Sequence, residues 1–310
     1  MPPPAAGQAQ LRTEVSVVSA GTEGWALRQQ FTWARTPFPC VPGYQRVGVV
    51  TAVGPGVENM QVGERVMATT GVWDGPVKPF WGSHLAVGNT AADQLFAIPA
   101  GVQAVDAAGA VVAQVGYNAA SRLTLEVGDW VLVYGDGLIG QCASQAARAR
   151  GARTILVGHR AERLERAARH SADIVIDSHR EDVAASVRAA TGGAEIAAVL
   201  DSVQSEATQR EYVPLLRRLP AGQIVYCGFT PGTVWADMGL LQQRELTAYF
   251  VAGWTRPRME ATLALMAEGK MALAPLITHH IPAERGPALY QNMLTKAEPF
   301  LGIALDWSHL

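Results

Sequence analysis

The sequence is poor in cysteine: three in 310 residues, Cys40, Cys142 and Cys227, far apart and never in a CxxC spacing. That excludes a disulfide scaffold and a zinc finger, and the thiols read as the reduced, isolated cysteines of a cytoplasmic protein. An excess of charge of one sign is lacking too. With a net charge of -2 there is no surplus of Lys and Arg for a polyanion, so nucleic acid is not an expected partner. No apolar run approaches the ~18 uncharged residues that a membrane span needs. The opening segment Met1–Gln8 has neither the basic nor the apolar region of a secretory leader, and none is expected. Internal repeats and low-complexity tracts are absent from the text. What remains, with 49% apolar and 17% charged residues, is a globular chain long enough for two domains with separate cores.

The grammar of the sequence changes near Val105. Residues 1–10 offer little to bury and are expected to form a loose tail. From Arg12 to Ala97, short β-type runs such as Glu14–Val18, Val47–Val53 and Glu64–Ala68 are broken by turns at Gly54-Pro55-Gly56 and Gln61–Glu64. Asp106–Arg122 is helix-compatible. Strands then alternate with helices: Trp130–Tyr134, helix Ile139–Arg150, Thr154–Val157, helix Glu162–His170, Ile174–Ile176 and helix Glu181–Ala190. The series continues with Ala198–Asp201, helix Ser205–Arg218, Gln223–Cys227, Leu246–Val251 and helix Arg258–Glu268. Alternation of this kind implies a parallel sheet with right-handed crossovers. The tail from Pro275 to Trp307 holds another strand–helix–strand unit that need not join that sheet. The expected class is α/β, a twisted β domain plus a doubly wound parallel sheet.

Gly135-Asp136-Gly137-Leu138-Ile139-Gly140 fits GxGxxG, follows an apolar strand and opens a helix. That context gives the motif its mechanism. Gly135 permits a tight turn, Gly137 lets a pyrophosphate approach the backbone, Gly140 lets helix and strand pack closely, and the helix N-terminus offers free N–H groups. The second strand ends at Gly158, where an NAD site usually has a carboxylate for the ribose, and His159 and Arg160 follow. Lacking the carboxylate and carrying an arginine, this end favours NADP(H) over NAD(H). The other reading is that Arg160 merely solvates the next helix and both cofactors bind.

The order of elements resembles the medium-chain dehydrogenase/reductase superfamily, which contains the zinc alcohol dehydrogenases and quinone reductases. The likeness is carried by Val41–Val50, by Asn59–Val66 and by Val131–Gly151 with Gln145. It implies a GroES-like catalytic domain over residues 1–115, completed by 272–310, and a Rossmann domain over 116–271. The first β-hairpin of the family is mostly missing, the chain entering almost directly at Glu14–Val18. Ser19–Glu23, Val41–Tyr44 and Ile303–Ser308 are similar to the subgroup that contains 3-hydroxyethyl bacteriochlorophyllide a dehydrogenase. By the same resemblance, Ser19, Tyr44 and Val111 stand where the zinc enzymes have their three catalytic ligands. Catalytic zinc takes three N, S or carboxylate donors, which this set does not supply. Met67–Val87 has no cysteines for a structural zinc, so neither metal is expected.

Ser19, Thr22, Tyr44, Val115, Gly116 and Tyr117 are implied near the nicotinamide, with Asp201, Ser202, Val203, Gly228 and Phe229 ending successive Rossmann strands. Tyr44 is the first candidate to polarise a carbonyl or relay its proton, with packing into the vacated metal space as the alternative. Ser19 is a candidate relay and Tyr117 a further catalytic candidate. The cofactor candidates are Thr22, Gly135, Gly137, Leu138, Ile139, Gly140, Gly158, His159, Arg160, Ser202, Gly228 and Phe229. His84 is expected to be structural, in a strand, and Glu23 to be a nearby acid or a partner of Arg46 or another cation. His279 and His280 are expected to face solvent or the seam between the domains. Trp25, Phe31, Trp33, Phe38, Tyr44, Trp73, Phe80 and Trp81 crowd into one stretch. They fit either a β-domain core or a broad apolar site for a bulky or planar substrate. Leu246–Val251 would leave an apolar sheet edge, so a homodimer is expected. The leading expectation is a zinc-independent, NADP(H)-dependent oxidoreductase acting on a carbonyl/alcohol pair. Alternatives are a C=C reductase of quinone or enoyl type and a non-catalytic dinucleotide-binding sensor.

Overall fold

The computed structural model describes residues 1–229, 236–295 and 297–310. They divide into two compact units, residues 1–111 with 276–310, and residues 112–275.

The first unit is built on a seven-stranded sheet. Its central strand, Gln8–Val18, alternates with period two: Ala9, Leu11, Thr13, Val15 and Val17 are buried, while Arg12 is exposed. This corrects two expectations. The segment 1–10 is not all loose tail, and the chain enters the sheet at Gln8 rather than at Glu14. Ala9 and Leu11 decide it, packing against Val50, Met60, Val66, Ala68 and Leu95. The strand pairs antiparallel with Arg46–Val53 along one edge, and with Val87–Ala91 and then Gly302–Asp306 along the other. Ile277–Pro282 lies parallel to Gly302–Asp306, so the C-terminal strand–helix–strand unit belongs to this sheet. His280 on that strand is exposed.

The second unit has a six-stranded, wholly parallel sheet. Its spatial order is Ile174–Asp177, Arg153–Gly158, Trp130–Tyr134, Ala198–Asp201, Gln223–Tyr226, Thr247–Phe250. In chain order that is 3-2-1-4-5-6, and the order reverses between Trp130–Tyr134 and Ala198–Asp201. A ligand crevice opens at the carboxyl ends of such a pair. Trp130–Tyr134 is buried throughout, as a strand covered on both faces must be. The expected helix Ser205–Arg218 is shorter: Glu206–Tyr212 gives way to a 3-10 turn, Val213–Leu215, since Pro214 has no N–H to continue the ladder. Among the described residues no helix is long and apolar enough to cross a membrane.

Arg46 is the costly residue of the first sheet. It is fully buried, and its side chain reaches the Thr90 hydroxyl at 2.8 Å and the Gly88 carbonyl at 3.5 Å, while Nε and Nη1 have no partner among the described residues. Burial pushes its guanidinium below the ordinary arginine value. Glu23, expected as a possible partner, bonds elsewhere. A buried charge without a counter-ion is replaced at little or negative cost by an apolar side chain of similar length. Arg46→Met should therefore melt at or above the wild-type temperature, and a loss beyond ~2 kcal/mol in denaturant unfolding would show the charge to be needed.

Candidate active site

Helix Ala20–Leu27 begins at Ser19, whose hydroxyl makes no cap bond to the helix. Glu23 Oε1 accepts the Ser19 backbone N–H at 2.8 Å and so fixes the start of the helix. The Ser19 and Thr22 hydroxyls lie beside the Tyr44 phenol and favour its ionised form. Burial outweighs them and pushes the Tyr44 phenol up to about 12, with the Glu23 charge adding to the rise. At neutral pH it is a protonated donor. Three of the sequence candidates, Ser19, Thr22 and Tyr44, thus come together.

Beneath them lies a polar chain that pattern reading did not assemble. Glu23 is fully buried; its Oε2 lies 3.0 Å from His84 Nε2 and accepts the Tyr290 hydroxyl. His84 Nδ1 meets Ser16 Oγ at 2.8 Å, and Ser16 Oγ accepts the Trp307 indole N–H at 2.8 Å. Nε2 faces a carboxylate and so carries a proton. In the neutral ring Nδ1 then accepts from Ser16, and every group in the chain is satisfied. His84 sits in a bend before strand Val87–Ala91, not in a strand as expected, because this pairing draws its ring inward. The ring presses on the backbone next to Tyr44. A Cβ on Gly43, whose φ is +87°, would stand 2.4 Å from it.

Aromatic rings continue outward from Tyr44. Trp81 meets it edge to face at 5.2 Å and lies 4.3 Å from Phe80; Phe31 lies 6.2 Å from Phe80 and 4.8 Å from Trp33. Trp25, Phe31, Phe80 and Trp81 share an apolar cluster, whereas Trp33 is 62% exposed. Trp81 holds this place at φ +70°, a conformation that costs a large L-residue energy.

In the second unit Gly135 turns with φ +112°, and a Cβ there would stand 2.2 Å from Ser202 Oγ. A Cβ on Gly140 would lie 2.0 Å from the Gly135 carbonyl, so helix and turn are in direct backbone contact. Gly137 caps helix Leu138–Ala149 and faces open space, with nothing within 4 Å of a Cβ. Leu138 and Ile139, in the first turn, are partly exposed. Ser202 donates to the Tyr134 carbonyl at 2.8 Å, and Asp201 caps the following turn through the Val203 and Gln204 N–H groups, 2.8 Å each. Gly228 follows the next strand with its Cα side against the Ser202 carbonyl, and Phe229 is 56% exposed. Tyr117, on helix Ala110–Ser121 of this unit, is partly buried.

One residue inside the glycine motif was passed over. Asp136 is buried, and its Oδ2 accepts the backbone N–H groups of His159 and Arg160, both at 3.0 Å. Its Oδ1 accepts Nη1 of Arg160 at 3.1 Å and of Arg163 at 3.3 Å. Burial alone would raise its pKa, but these bonds and charges hold it below the ordinary aspartate value. The carboxylate takes the space of a side chain at Gly158, where a Cβ would be 2.6 Å from Asp136 Cβ. The available signals were the acid between two glycines and the missing side chain at 158.

Two family models match the chain, the alcohol dehydrogenase GroES-like domain over residues 7–78 and the zinc-binding dehydrogenase over 139–268. An alcohol dehydrogenase of Geobacillus stearothermophilus is 28% identical over 262 residues, which are 77% of this chain and 76% of that protein. Quinone oxidoreductase 1 of Escherichia coli is 28% identical over 74% of this chain and 69% of its own length. A solved Escherichia coli quinone oxidoreductase, complexed with NADPH, superposes with a TM-score of 0.78 at 21% identity, covering 99% of this chain and 93% of that one. A GroES-like β unit and a 3-2-1-4-5-6 parallel sheet with a glycine-rich turn define a two-domain dehydrogenase. These matches support an oxidoreductase of the medium-chain dehydrogenase/reductase superfamily.

The buried network should carry much of the first unit's stability. Glu23→Gln strips the carboxylate from His84 and Tyr290 and should cost about 3 kcal/mol in denaturant unfolding. An unchanged midpoint would mean that the pair contributes only packing.

Proposed function

We propose that this protein is a zinc-independent, NADP(H)-preferring oxidoreductase that interconverts a carbonyl and an alcohol on a bulky, apolar substrate. The reading rests on the Tyr44 hydroxyl, a proton-bearing phenol with the Ser19 and Thr22 hydroxyls beside it. Zinc does not fit this donor set. Ser19, Thr22 and Tyr44 offer neutral oxygens, the nearby His84 and Glu23 are bonded to each other, and Cys40 is a protonated thiol raised by burial. No step is therefore routed through a metal.

A nicotinamide dinucleotide fits the second unit. Gly135, Gly137 and Gly140 with the first turn of helix Leu138–Ala149 would hold the pyrophosphate, and Arg160 is the cation at the end of the second strand. When bound, this cofactor supplies or accepts hydride. The chain's own contribution is a hydrogen bond from Tyr44 to the substrate oxygen as it gains negative charge, with Ser19 and Thr22 fixing the phenol's direction. Trp33, 62% exposed at the edge of the apolar cluster of Phe31, Phe80 and Trp81, supports an apolar substrate. We read residues 1–115 with 272–310 as the catalytic domain, and 116–271 as the cofactor domain. We also read the partly exposed edge strand Thr247–Phe250, with Phe250 66% exposed, as a homodimer contact. The kinship with quinone oxidoreductase 1 favours one further reading, reduction of a conjugated C=C bond, in which the same phenol would donate to the enone oxygen.

Chelator-treated protein titrated with NADPH and NADH should bind both, NADPH more tightly. Binding of neither would remove the oxidoreductase reading. With a carbonyl or enone substrate found by screening, Tyr44→Phe should lower kcat by about 10²-fold and leave NADPH affinity unchanged. Undiminished turnover would exclude Tyr44 as the donor, and the product, alcohol or saturated ketone, separates the two reactions.

A further inference from the structure

Asp136 is out of place for a phosphate-binding turn. A carboxylate between two glycines of such a turn adds negative charge where a pyrophosphate is to be held, and this one is buried. It is also fully engaged: two backbone N–H groups on one oxygen, two guanidiniums on the other. With every acceptor position used, it has none left for a ribose hydroxyl. It is therefore not a displaced copy of the carboxylate that NAD sites carry at the end of the second strand.

Its bonds converge on two cations. Arg160 and Arg163, three residues apart, would repel and diverge if left alone; one shared oxygen brings both within 3.3 Å. Two guanidiniums and one carboxylate leave one positive charge in excess, and the Arg160 side chain is half exposed. Gly158 completes the arrangement by leaving the space that the carboxylate fills.

We propose that Asp136 is a positioning residue for cofactor choice: it gathers Arg160 and Arg163 into a two-arginine clamp for the phosphate monoester on the adenosine ribose. The inference rests on the NADP(H) reading above and adds the residue that enforces it. The remaining donors of Arg160 face solvent and take the phosphate oxygens, in charge-assisted bonds that a hydroxyl cannot match. The clamp is rigid because the same carboxylate is tied to the backbone at 159 and 160. The energy of orienting the arginines is thus supplied in folding, before any ligand arrives.

The test is calorimetric binding of adenosine 2′-monophosphate, adenosine 5′-monophosphate, NADPH and NADH to the full chain, wild type and Asp136→Asn, with thermal melts of each. In Asp136→Asn, affinity for adenosine 2′-monophosphate and NADPH should fall roughly tenfold, with NADH moving less than threefold. Equal loss of NADPH and NADH would reduce Asp136 to a scaffold of the turn and overturn the proposal. So would a gain in NADPH affinity, which would show the carboxylate opposing the phosphate. If Asp136→Asn does not fold, Arg163→Met carries the test, because it leaves the Asp136–Arg160 pair in place. Selective loss of NADPH supports the clamp, and no change in selectivity overturns it. A wild type with no preference for the 2′-phosphate would instead defeat the NADP(H) reading itself, and the clamp with it.

Discussion

Glu23 is fully buried, so a charge there is tolerable only because donors converge on both of its oxygens: the Ser19 backbone, the His84 ring and the Tyr290 hydroxyl. Those donors come from the helix start, from the bend before Val87–Ala91 and from the C-terminal helix Gly286–Thr295. Desolvating one carboxylate thus forces three distant stretches of the first unit into register. The consequence reaches the chemistry. Glu23 fixes the helix start at Ser19, whose hydroxyl makes no bond to the helix and lies beside the Tyr44 phenol. The His84 ring in turn allows no side chain at residue 43, which fixes the backbone that carries Tyr44.

The second unit solves a similar problem twice. Asp201 and Asp136 both sit at the carboxyl ends of parallel strands, where the chain must turn sharply and leave N–H groups without ladder partners. Asp201 takes two of those N–H groups and the Tyr212 hydroxyl; burial still holds its pKa above the ordinary value. Asp136 takes two N–H groups from a neighbouring strand end and adds two arginines, and its pKa falls. The difference is one of counter-charge. A carboxylate satisfied by neutral donors is a fixed piece of turn, whereas one that holds two cations shapes the local field beyond itself.

Much of this fold was readable in the sequence, for physical reasons that particular elements show. Trp130–Tyr134 and Ala198–Asp201 are buried on both faces, so their apolar runs are short, continuous and sharply ended. Gly135 and Gly140 are demanded by local backbone contacts within a few residues of themselves. Gln8–Val18 was only half read. Its polar alternate residues and its setting beside a Pro-Ala-Gly segment hide a strand that exists because partners 79 and 41 residues away accept it. In the candidate site, Tyr44, Ser19 and Thr22 are suggested by the family resemblance, but His84 and Glu23 are 61 residues apart, and Tyr290 and Glu23 are 267 apart. A carboxylate does not announce its donors by spacing; topology chooses them.

That distinction bears on the proposed chemistry. A metal ion would stabilise developing charge on a substrate oxygen chiefly through its own divalent charge. A phenol is weaker, and its dipole must point along one line. An enzyme that relies on Tyr44 must therefore spend structure on direction. The two hydroxyls beside the phenol, the glycine that seats the neighbouring backbone and the buried carboxylate that fixes the helix start are structure of that kind. Burial, which pushes the phenol up to about 12, keeps its proton in place throughout the neutral range. Direction and protonation are the two properties that a neutral hydrogen-bond donor needs where a cation is not used, and the first unit of this chain provides both from its own side chains.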